Sequence, residues 1–307
     1  MSSPRELLAP YLEERSLYVS VSTVKDDRFH LQRFFRFLDR QNVTHVGTLN
    51  LDTLAAYQRY LQTVPGKRGK LASESYLYKS LCLPKLFLEW AFRNGLTLES
   101  VESFSLPHCT NPEPEIPTVE QVQKLLEAID PSSPRGKRDS LILESFYTLG
   151  LRRRESHQLN LVDLNLAKQT LRVRGKNQRE RLLPVSDRLC GLFSDYLKKG
   201  RPYLRPCPDE EALWVSQSNG TRLCYESLRN TVYRTAQKVG LSGIYPHLLR
   251  HACATHLLEA GAELSAIQAF LGHNSPDSTE RYTHVSQQEL QTVFGRCHPR
   301  ASGGEPS

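Results

Sequence analysis

Cationic and imidazole side chains cluster in the second half of this sequence at spacings that suit chemistry on a phosphodiester. In the segment Pro246–Val285, His247 and Arg250 stand three residues apart, just after a proline that suits the first turn of a helix. The N-terminus of a helix attracts anions because its free N–H groups and its dipole are both positive there. These two residues therefore predict a phosphate site.

Two further cations precede this segment. Arg152 follows Gly150 where a helix is expected to end, so its guanidinium can project into a cleft and pair with two phosphate oxygens. Lys176 lies in the polar turn GKNQRE of a predicted hairpin, from which an ammonium can enter a groove and donate a proton. Taken singly, the LRRRE run is typical of a solvated basic face, and the turn is typical of a solubilising loop. The combination favours the phosphate site.

A candidate nucleophile and a further histidine follow towards the C-terminus. Tyr282 is one of 13 tyrosines, most of which are expected to pack or hydrogen-bond structurally, but it lies shortly after His273 in a polar segment before the last helix. For the histidines the alternative is a metal site formed by His247 and His251. No Glu follows His247, as the H-E-x-x-H pattern requires, so we expect no metal and no cofactor.

Five short motifs occur in the order that characterises the tyrosine recombinases, the phage integrase and Xer-like enzymes, and the sequence resembles that family through them: Gly150-Leu151-Arg152, Gly175-Lys176, His247-Leu248-Leu249-Arg250, Leu271-Gly272-His273 and Tyr282-Thr283-His284. The resemblance implies a role for each side chain: Tyr282 the nucleophile, Arg152 and Arg250 the phosphate clamp, Lys176 the general acid, His247 a proton-transfer group and His273 a further phosphate ligand. Glu155 matches an acidic position that supports the site. Arg153, Arg154 and His157 depart from the family pattern, which bears on DNA specificity more than on chemistry.

By this resemblance the chain is a site-specific DNA recombinase or integrase that cleaves and rejoins strands through a 3′-phosphotyrosyl intermediate, without metal or ATP. The expected partner is double-stranded DNA, with four protomers, alike or of two kinds, on two DNA sites and with accessory DNA-binding proteins. The alternatives are relaxation of DNA by a type IB topoisomerase-like monomer and a catalytically silent DNA-binding regulator. The complete catalytic set argues against the regulator. The small first domain favours strand exchange over relaxation.

The fold class expected is mainly α with a small antiparallel β-sheet. Helical patterns fill the first hundred residues, and LPHCTNPEPEIP then places four prolines in twelve residues. We therefore predict a helical core-binding (SAM-like) domain over 1–106, a linker over 107–117, a mixed α/β catalytic domain over 118–296 and a disordered tail over 297–307.

Several elements within these domains have predicted bounds. A hairpin is expected from Gln169–Arg174 and Arg181–Val185, and a short strand at Leu213–Ser216. Pro84 is expected to kink or split the third predicted helix, Ala72–Phe92. The final helix, Gln287–Arg296, is expected to dock either on a neighbouring protomer or on its own domain.

Composition bounds the partner and the compartment. A net charge of +7 favours a polyanionic partner, and the loop before the third helix supplies candidate DNA contacts at Lys67, Arg68 and Lys70, with Lys79 on the helix. The seven cysteines form no C-x-x-C pair, as expected for reduced thiols in a cytoplasmic protein. No apolar stretch is long enough for a membrane helix, so we expect a soluble protein without membrane contact. Because its expected partner is DNA, we expect it to be nucleoid-associated.

Overall fold

The computed structural model describes residues 2–64, 73–108, 114–175, 180–272 and 287–300. Six of the predicted site residues lie outside these ranges: Lys67, Arg68, Lys70, Lys176, His273 and Tyr282. The chain separates into two compact units, Met1–Glu113 and Pro114–Ser307. The division falls inside the predicted linker.

The described part of the first unit is helical. Its α-helices are α1 (Leu8–Ser16), α2 (Val21–Arg40), α3 (Leu51–Thr63) and α4 (Glu74–Arg93), with a 3₁₀ turn at Val46–Thr48. The side chains of Ser20, Asn50 and Ser73 each accept a backbone N–H in the first turn of the following helix. Of the kink or split expected at Pro84, the split does not occur. The helix α4 runs unbroken across Pro84, which is buried between the buried residues Leu83 and Phe87, so tertiary packing compensates for the missing N–H.

The second unit combines helices with a small sheet, which confirms the predicted fold class. Its α-helices are α5 (Val119–Glu127), α6 (Pro134–Thr148), α7 (Arg153–Gln158), α8 (Asp187–Asp195), α9 (Tyr225–Lys238), α10 (Pro246–Glu259), α11 (Leu264–Leu271) and α12 (Gln287–Cys297). The strands β1 (Leu164–Asn165), β2 (Thr170–Arg174) and β3 (Glu180–Pro184) form an antiparallel sheet in the order β1-β2-β3. No helix in the described ranges combines the length and apolarity needed to cross a bilayer.

The helix α6 forms the centre of this unit. From Arg138 onward all but one of its residues are buried, and it contacts α5, α7, α8, α9 and α10. A helix that is buried on every side is a fixed support for whatever follows its C-terminus. The G-L-R motif directly follows that end.

Two expectations about this unit need correction. Residues 213–216 form no strand; the chain here makes only single bridges, Asn160 with Ala212 and Val215 with Arg222. Residues 297–300, assigned to a disordered tail, are instead packed on the unit. The ring of His298 is buried and meets the Tyr147 ring edge-on, with centroids 5.1 Å apart, and this contact holds the chain beyond α12 on the unit. Residues 301–307 lie outside the described part.

The last helix packs on its own unit, which was one of the two positions expected. Leu290 and Phe294 are buried there, and the Phe294 ring stacks on Phe270 of α11 with centroids 5.3 Å apart. Beyond the helix, Arg300 pairs with the buried carboxylate of Glu144 on α6. The contacts therefore continue from α12 into the residues that follow it.

Candidate active site

The turn after α6 brings Arg152 to the start of α7. Gly150 has φ +55°, and a Cβ atom placed on it would lie 2.3 Å from Cδ2 of Leu271, so only glycine fits without displacement. Leu151 is fully buried and fixes the chain to the core. Arg152 then occupies the N-cap of α7, with 38% of its side chain exposed. Each residue of the G-L-R motif thus has its own structural role: the glycine forms the turn, the leucine anchors it in the core, and the arginine begins α7.

The carboxylate of Glu155 is the hub of an arginine cluster. It accepts the Arg152 backbone N–H at 2.8 Å and Nη1 of the same residue at 2.8 Å. Arg181 donates both Nη1 and Nη2 to it at 2.9 Å, and Nη1 of Arg250 lies 3.9 Å away. Burial raises the pKa of Glu155, but the hydrogen bonds and charge of Arg181, together with the hydrogen bonds from Arg152, outweigh burial and hold the pKa below its ordinary value. The carboxylate is therefore ionised at neutral pH.

Arg250 is buried on α10 and is held mainly by neutral acceptors. Its Nη1 donates to the Gly150 carbonyl at 2.5 Å, and its Nη2 donates to the Leu271 carbonyl at 2.6 Å. Burial, followed by the positive charge of Arg152, lowers the pKa of Arg250 to about 9, and Glu155 only partly offsets this. The guanidinium stays protonated at neutral pH in surroundings that an added anion would make more favourable.

Three arginines converge on the C-terminus of α11. Arg181 Nε donates to the Phe270 carbonyl at 3.0 Å, Arg250 donates to Leu271, and Arg152 Nη2 donates to Gly272 at 2.9 Å. Gly272 caps the helix with φ +65°. The carbonyls at the end of a helix are the negative pole of its dipole and suit cations. The L-G-H segment is therefore fixed up to Gly272, directly before His273.

His247 lies in the first turn of α10, beside this cluster. Desolvation lowers its pKa, and Arg250, His251 and Arg152 lower it further because each would repel a proton on the ring. The imidazole is consequently neutral at pH 7 and can accept a proton. Its ring lies 5.8 Å from that of His251. No group of three or more potential metal ligands occurs among the residues that the structure describes.

An open groove of about 550 Å³ runs from Arg152 and His247 along α9. Its wall is basic and aromatic: Arg153, Arg154, Tyr225, Arg229, Tyr233 and Tyr245 line it. The Arg153 guanidinium lies 3.8 Å from the centroid of the Tyr225 ring and pairs with Glu226 at 3.1 Å. The sequence analysis did not find Arg229 and Tyr233, although their spacing on α9 puts both on one helix face.

Arg181 is a further site residue that the sequence patterns did not indicate, because on sequence it is only the first residue of the second predicted hairpin strand. It lies on β3, where alternation places it on the same face of the strand as the buried Leu183. An inward-facing arginine requires a buried hydrogen-bond acceptor, so the alternation along β3 could have indicated that Arg181 is bound inside the unit.

The predicted DNA contacts of the first unit lie only partly in the described ranges. Lys79 is exposed on α4. Lys85 on the same helix donates to the carbonyls of Glu102 at 2.7 Å and Phe104 at 2.9 Å, which ties the chain after α4 to the helix.

The chain belongs to the phage integrase family, which it matches over residues 117–289. Its relatives include tyrosine recombinase XerC of Shewanella amazonensis, with 33% identity over 95% of this chain and 97% of the relative. XerC of Oceanobacillus iheyensis is 31% identical over 92% of each chain. XerD of Staphylococcus saprophyticus is 28% identical over 92% of this chain and 94% of the relative.

These relatives confirm the predicted class. The chain is a tyrosine recombinase of the Xer type, a site-specific recombination enzyme that cleaves and rejoins DNA. Neither relaxation of the topoisomerase kind nor a silent regulator finds support in the comparisons.

Solved structures agree with the fold. The Tn1549 transposon integrase in complex with transposon right end DNA superposes with a TM-score of 0.66 at 20% identity, over 96% of this chain and 99% of that one. The XerH recombinase bound to its difH substrate superposes with a TM-score of 0.64 at 20% identity, over 91% of this chain and 81% of that one. At such identities the likeness establishes the fold alone.

Proposed function

We propose that the second unit cleaves one DNA strand at a time with Tyr282, while Arg152, Arg250 and His273 bind the scissile phosphate. The observation that carries this proposal is the convergence of Arg152 and Arg250 on one carboxylate and one helix end, beside the neutral imidazole of His247. Preorganised cations of this kind stabilise charge that develops on the phosphate oxygens.

The reaction we propose conserves the phosphodiester bond energy. The phenolic oxygen of Tyr282 attacks phosphorus, the bond from phosphorus to the 5′ oxygen breaks, and Lys176 donates a proton to that oxygen. A 3′-phosphotyrosyl link and a free 5′ hydroxyl result. Attack by the 5′ hydroxyl of another strand reverses the step, so rejoining needs neither ATP nor a metal. Removing one cationic donor typically costs about 10²–10³ in rate.

His247 is proposed to take the phenolic proton. A tyrosine has a reference pKa of about 10 and is mostly protonated at neutral pH, so a neighbouring base or cationic field must assist it. The lowered pKa of His247 keeps the ring free of a proton, and the arginines beside it favour the phenolate. Glu155 is proposed to support the site by orienting Arg152.

Double-stranded DNA is the proposed partner. The groove lined by Arg153, Arg154 and Arg229 extends the positive surface from the phosphate site along α9, and in the first unit Lys67, Arg68, Lys70 and Lys79 are proposed to contact the DNA backbone. Both relatives of known structure cited above were solved with DNA. Four protomers on two sites, with accessory proteins that direct them, complete the proposal. Binding through phosphates should weaken steeply with salt.

The test uses a suicide substrate, a duplex with a nick beside the cleavage point. Cleavage releases the short fragment that carries the 5′ hydroxyl, so the strand cannot be rejoined and the covalent adduct accumulates. A binding site enriched from random duplexes by the protein itself supplies the sequence. We expect Tyr282→Phe to bind this duplex normally but to form no covalent adduct. Tyr203→Phe, at a tyrosine that is 69% exposed in the 3₁₀ helix Arg201–Leu204, is the matched control and should form the adduct like the wild type. A covalent adduct with Tyr282→Phe would refute the assignment.

A further inference from the structure

Both strands of the β2–β3 hairpin carry an arginine that is bound to a buried carboxylate. On β3, Arg181 makes two parallel hydrogen bonds of 2.9 Å to Glu155, whose side chain is 3% exposed. On β2, Arg174 Nη2 lies 3.1 Å from Oδ1 of Asp163, whose side chain is 2% exposed. The hairpin is therefore attached to the unit at two separate points by charged groups.

These attachments lie next to the turn. The last pairs of the β2–β3 ladder are Val173 with Arg181 and Arg174 with Glu180. Arg174 also donates its Nε to Glu180 at 3.0 Å, which closes the ladder across the two strands. Residues 175–179 connect the strands at this end, and Lys176 is among them.

The contacts of Arg181 reach further than those of Arg174. One guanidinium joins β3 to α7 through Glu155 and to α11 through the Phe270 carbonyl. The side chain is only 15% exposed, so little water competes for these bonds. A planar guanidinium that makes three directed hydrogen bonds restricts both the position and the direction of its strand.

We infer that Arg181 is a positioning residue for Lys176, because it fixes the base of the hairpin against Glu155 and thereby sets where the general acid meets the leaving oxygen. The inference rests on the proposed role of Lys176. It assigns Arg181 no contact with DNA, since both of its terminal nitrogens are bonded to the buried carboxylate of Glu155, which pairs its charge. Proton donation depends strongly on placement, because a displacement of about 1 Å can cost about 10² in rate.

A leaving group that needs no proton separates this role from a general loss of structure. In a duplex whose 5′ oxygen at the scissile phosphate is replaced by sulfur, the phosphorus–sulfur bond breaks and the electron pair leaves with sulfur as a thiolate. Lys176 is then unnecessary. We expect Arg181→Met to cleave ordinary DNA about 10²-fold more slowly than the wild type and to recover on the sulfur substrate. Lys176→Ala should behave in the same way, because general acids contribute about 10²–10⁴ in rate.

The chain provides a matched control at Glu144. This carboxylate is also buried, and it is also bound by two arginines, Arg188 on α8 and Arg300 near the C-terminus. Arg188→Met removes one guanidinium from a buried carboxylate, and Arg188 follows the end of β3 that is opposite to residues 175–179. The ratio of its cleavage rates on ordinary DNA and on the sulfur substrate should equal that of the wild type, even if the substitution lowers the stability of the fold. Thermal unfolding and DNA binding, measured for each variant, show that the folded complex is being compared.

Arg181→Lys keeps the charge but cannot make paired bonds to Glu155, so its rate ratio should lie between those of the wild type and Arg181→Met. Equal slowing of Arg181→Met on both substrates, or no slowing on either, would overturn the inference. If Lys176→Ala is not restored by sulfur, the proposed role of Lys176 fails, and the inference fails with it. Restoration of Lys176→Ala without restoration of Arg181→Met would remove the inference alone.

Discussion

Replacing Gly150 with alanine tests whether the turn after α6 sets the geometry of the arginine cluster. Gly150 has a positive φ and lies against Leu271, so an added methyl group is unfavourable for two independent reasons. Gly240, at the C-terminal end of α9, has φ +74° and nothing within 4 Å of an added Cβ. Gly240→Ala therefore carries the backbone penalty without the steric clash.

The two variants allow the contributions to be separated. A left-handed backbone costs a non-glycine residue about 1–2 kcal/mol, and this should be the whole loss of folding free energy in Gly240→Ala. At Gly150 the new Cβ lies 2.3 Å from Leu271 Cδ2, and overpacking of this kind adds about 1–3 kcal/mol. Gly150→Ala should accordingly lose about 2–5 kcal/mol in all.

The measurement is urea unfolding of both variants and the wild type, together with suicide-substrate cleavage. Displacement of Leu271 also moves its carbonyl, which accepts a hydrogen bond from Arg250. We therefore expect Gly150→Ala to cleave the suicide substrate about 10²-fold more slowly than the wild type under conditions where it remains folded. Gly240→Ala should retain the wild-type rate. Equal stability losses in the two variants would show that Leu271 can move away freely, and the reasoning about this turn would then be wrong.

Two predictions concern pH. The folded pKa of Glu155 lies below its unfolded value of about 4.3, so its ion pairs stabilise the fold above that pH and are lost as pH falls through the folded pKa. In urea titrations at a series of pH values, Glu155→Gln should therefore lose less unfolding free energy on acidification than the wild type does. An equal loss in the variant and the wild type would contradict this. Burial lowers the pKa of His298 to about 3, so its stabilising contribution is complete above about 6.5 and declines as pH falls towards 3. His298→Phe should reduce the pH dependence of the unfolding midpoint across that interval, whereas a dependence equal to the wild type would show that His298 protonates freely in the folded state.

The sequence predicted those parts of the site that follow from local chemistry. Residue type and order identified the five motifs, and the glycine at the end of α6 indicated a turn from which Arg152 projects. Hydrophobic alternation placed the hairpin within a residue of its observed ends. These features depend on neighbours in the chain, so a single sequence contains them.

The features that were missed depend on residues far apart in the chain. Arg181 meets Glu155 and Phe270 only after folding, and on sequence it is one cation among several near a turn. Pro84 remains inside α4 because of what packs around it, and His298 is held in place because its ring meets the Tyr147 ring edge-on. In each case tertiary packing outweighs the local preference.

The acceptors of each arginine indicate which of them is available to a phosphate. Arg181 gives both terminal nitrogens to the carboxylate of Glu155, so its charge is paired. Arg250 gives one N–H from each terminal nitrogen to a neutral carbonyl and lies 3.9 Å from the carboxylate, so it is oriented but not neutralised. A guanidinium has five N–H donors, which leaves Arg250 further donors for an incoming anion. Arg152 is intermediate, because it shares Glu155 but remains 38% exposed. The same cluster therefore separates the arginine that positions from the arginines that are proposed to bind.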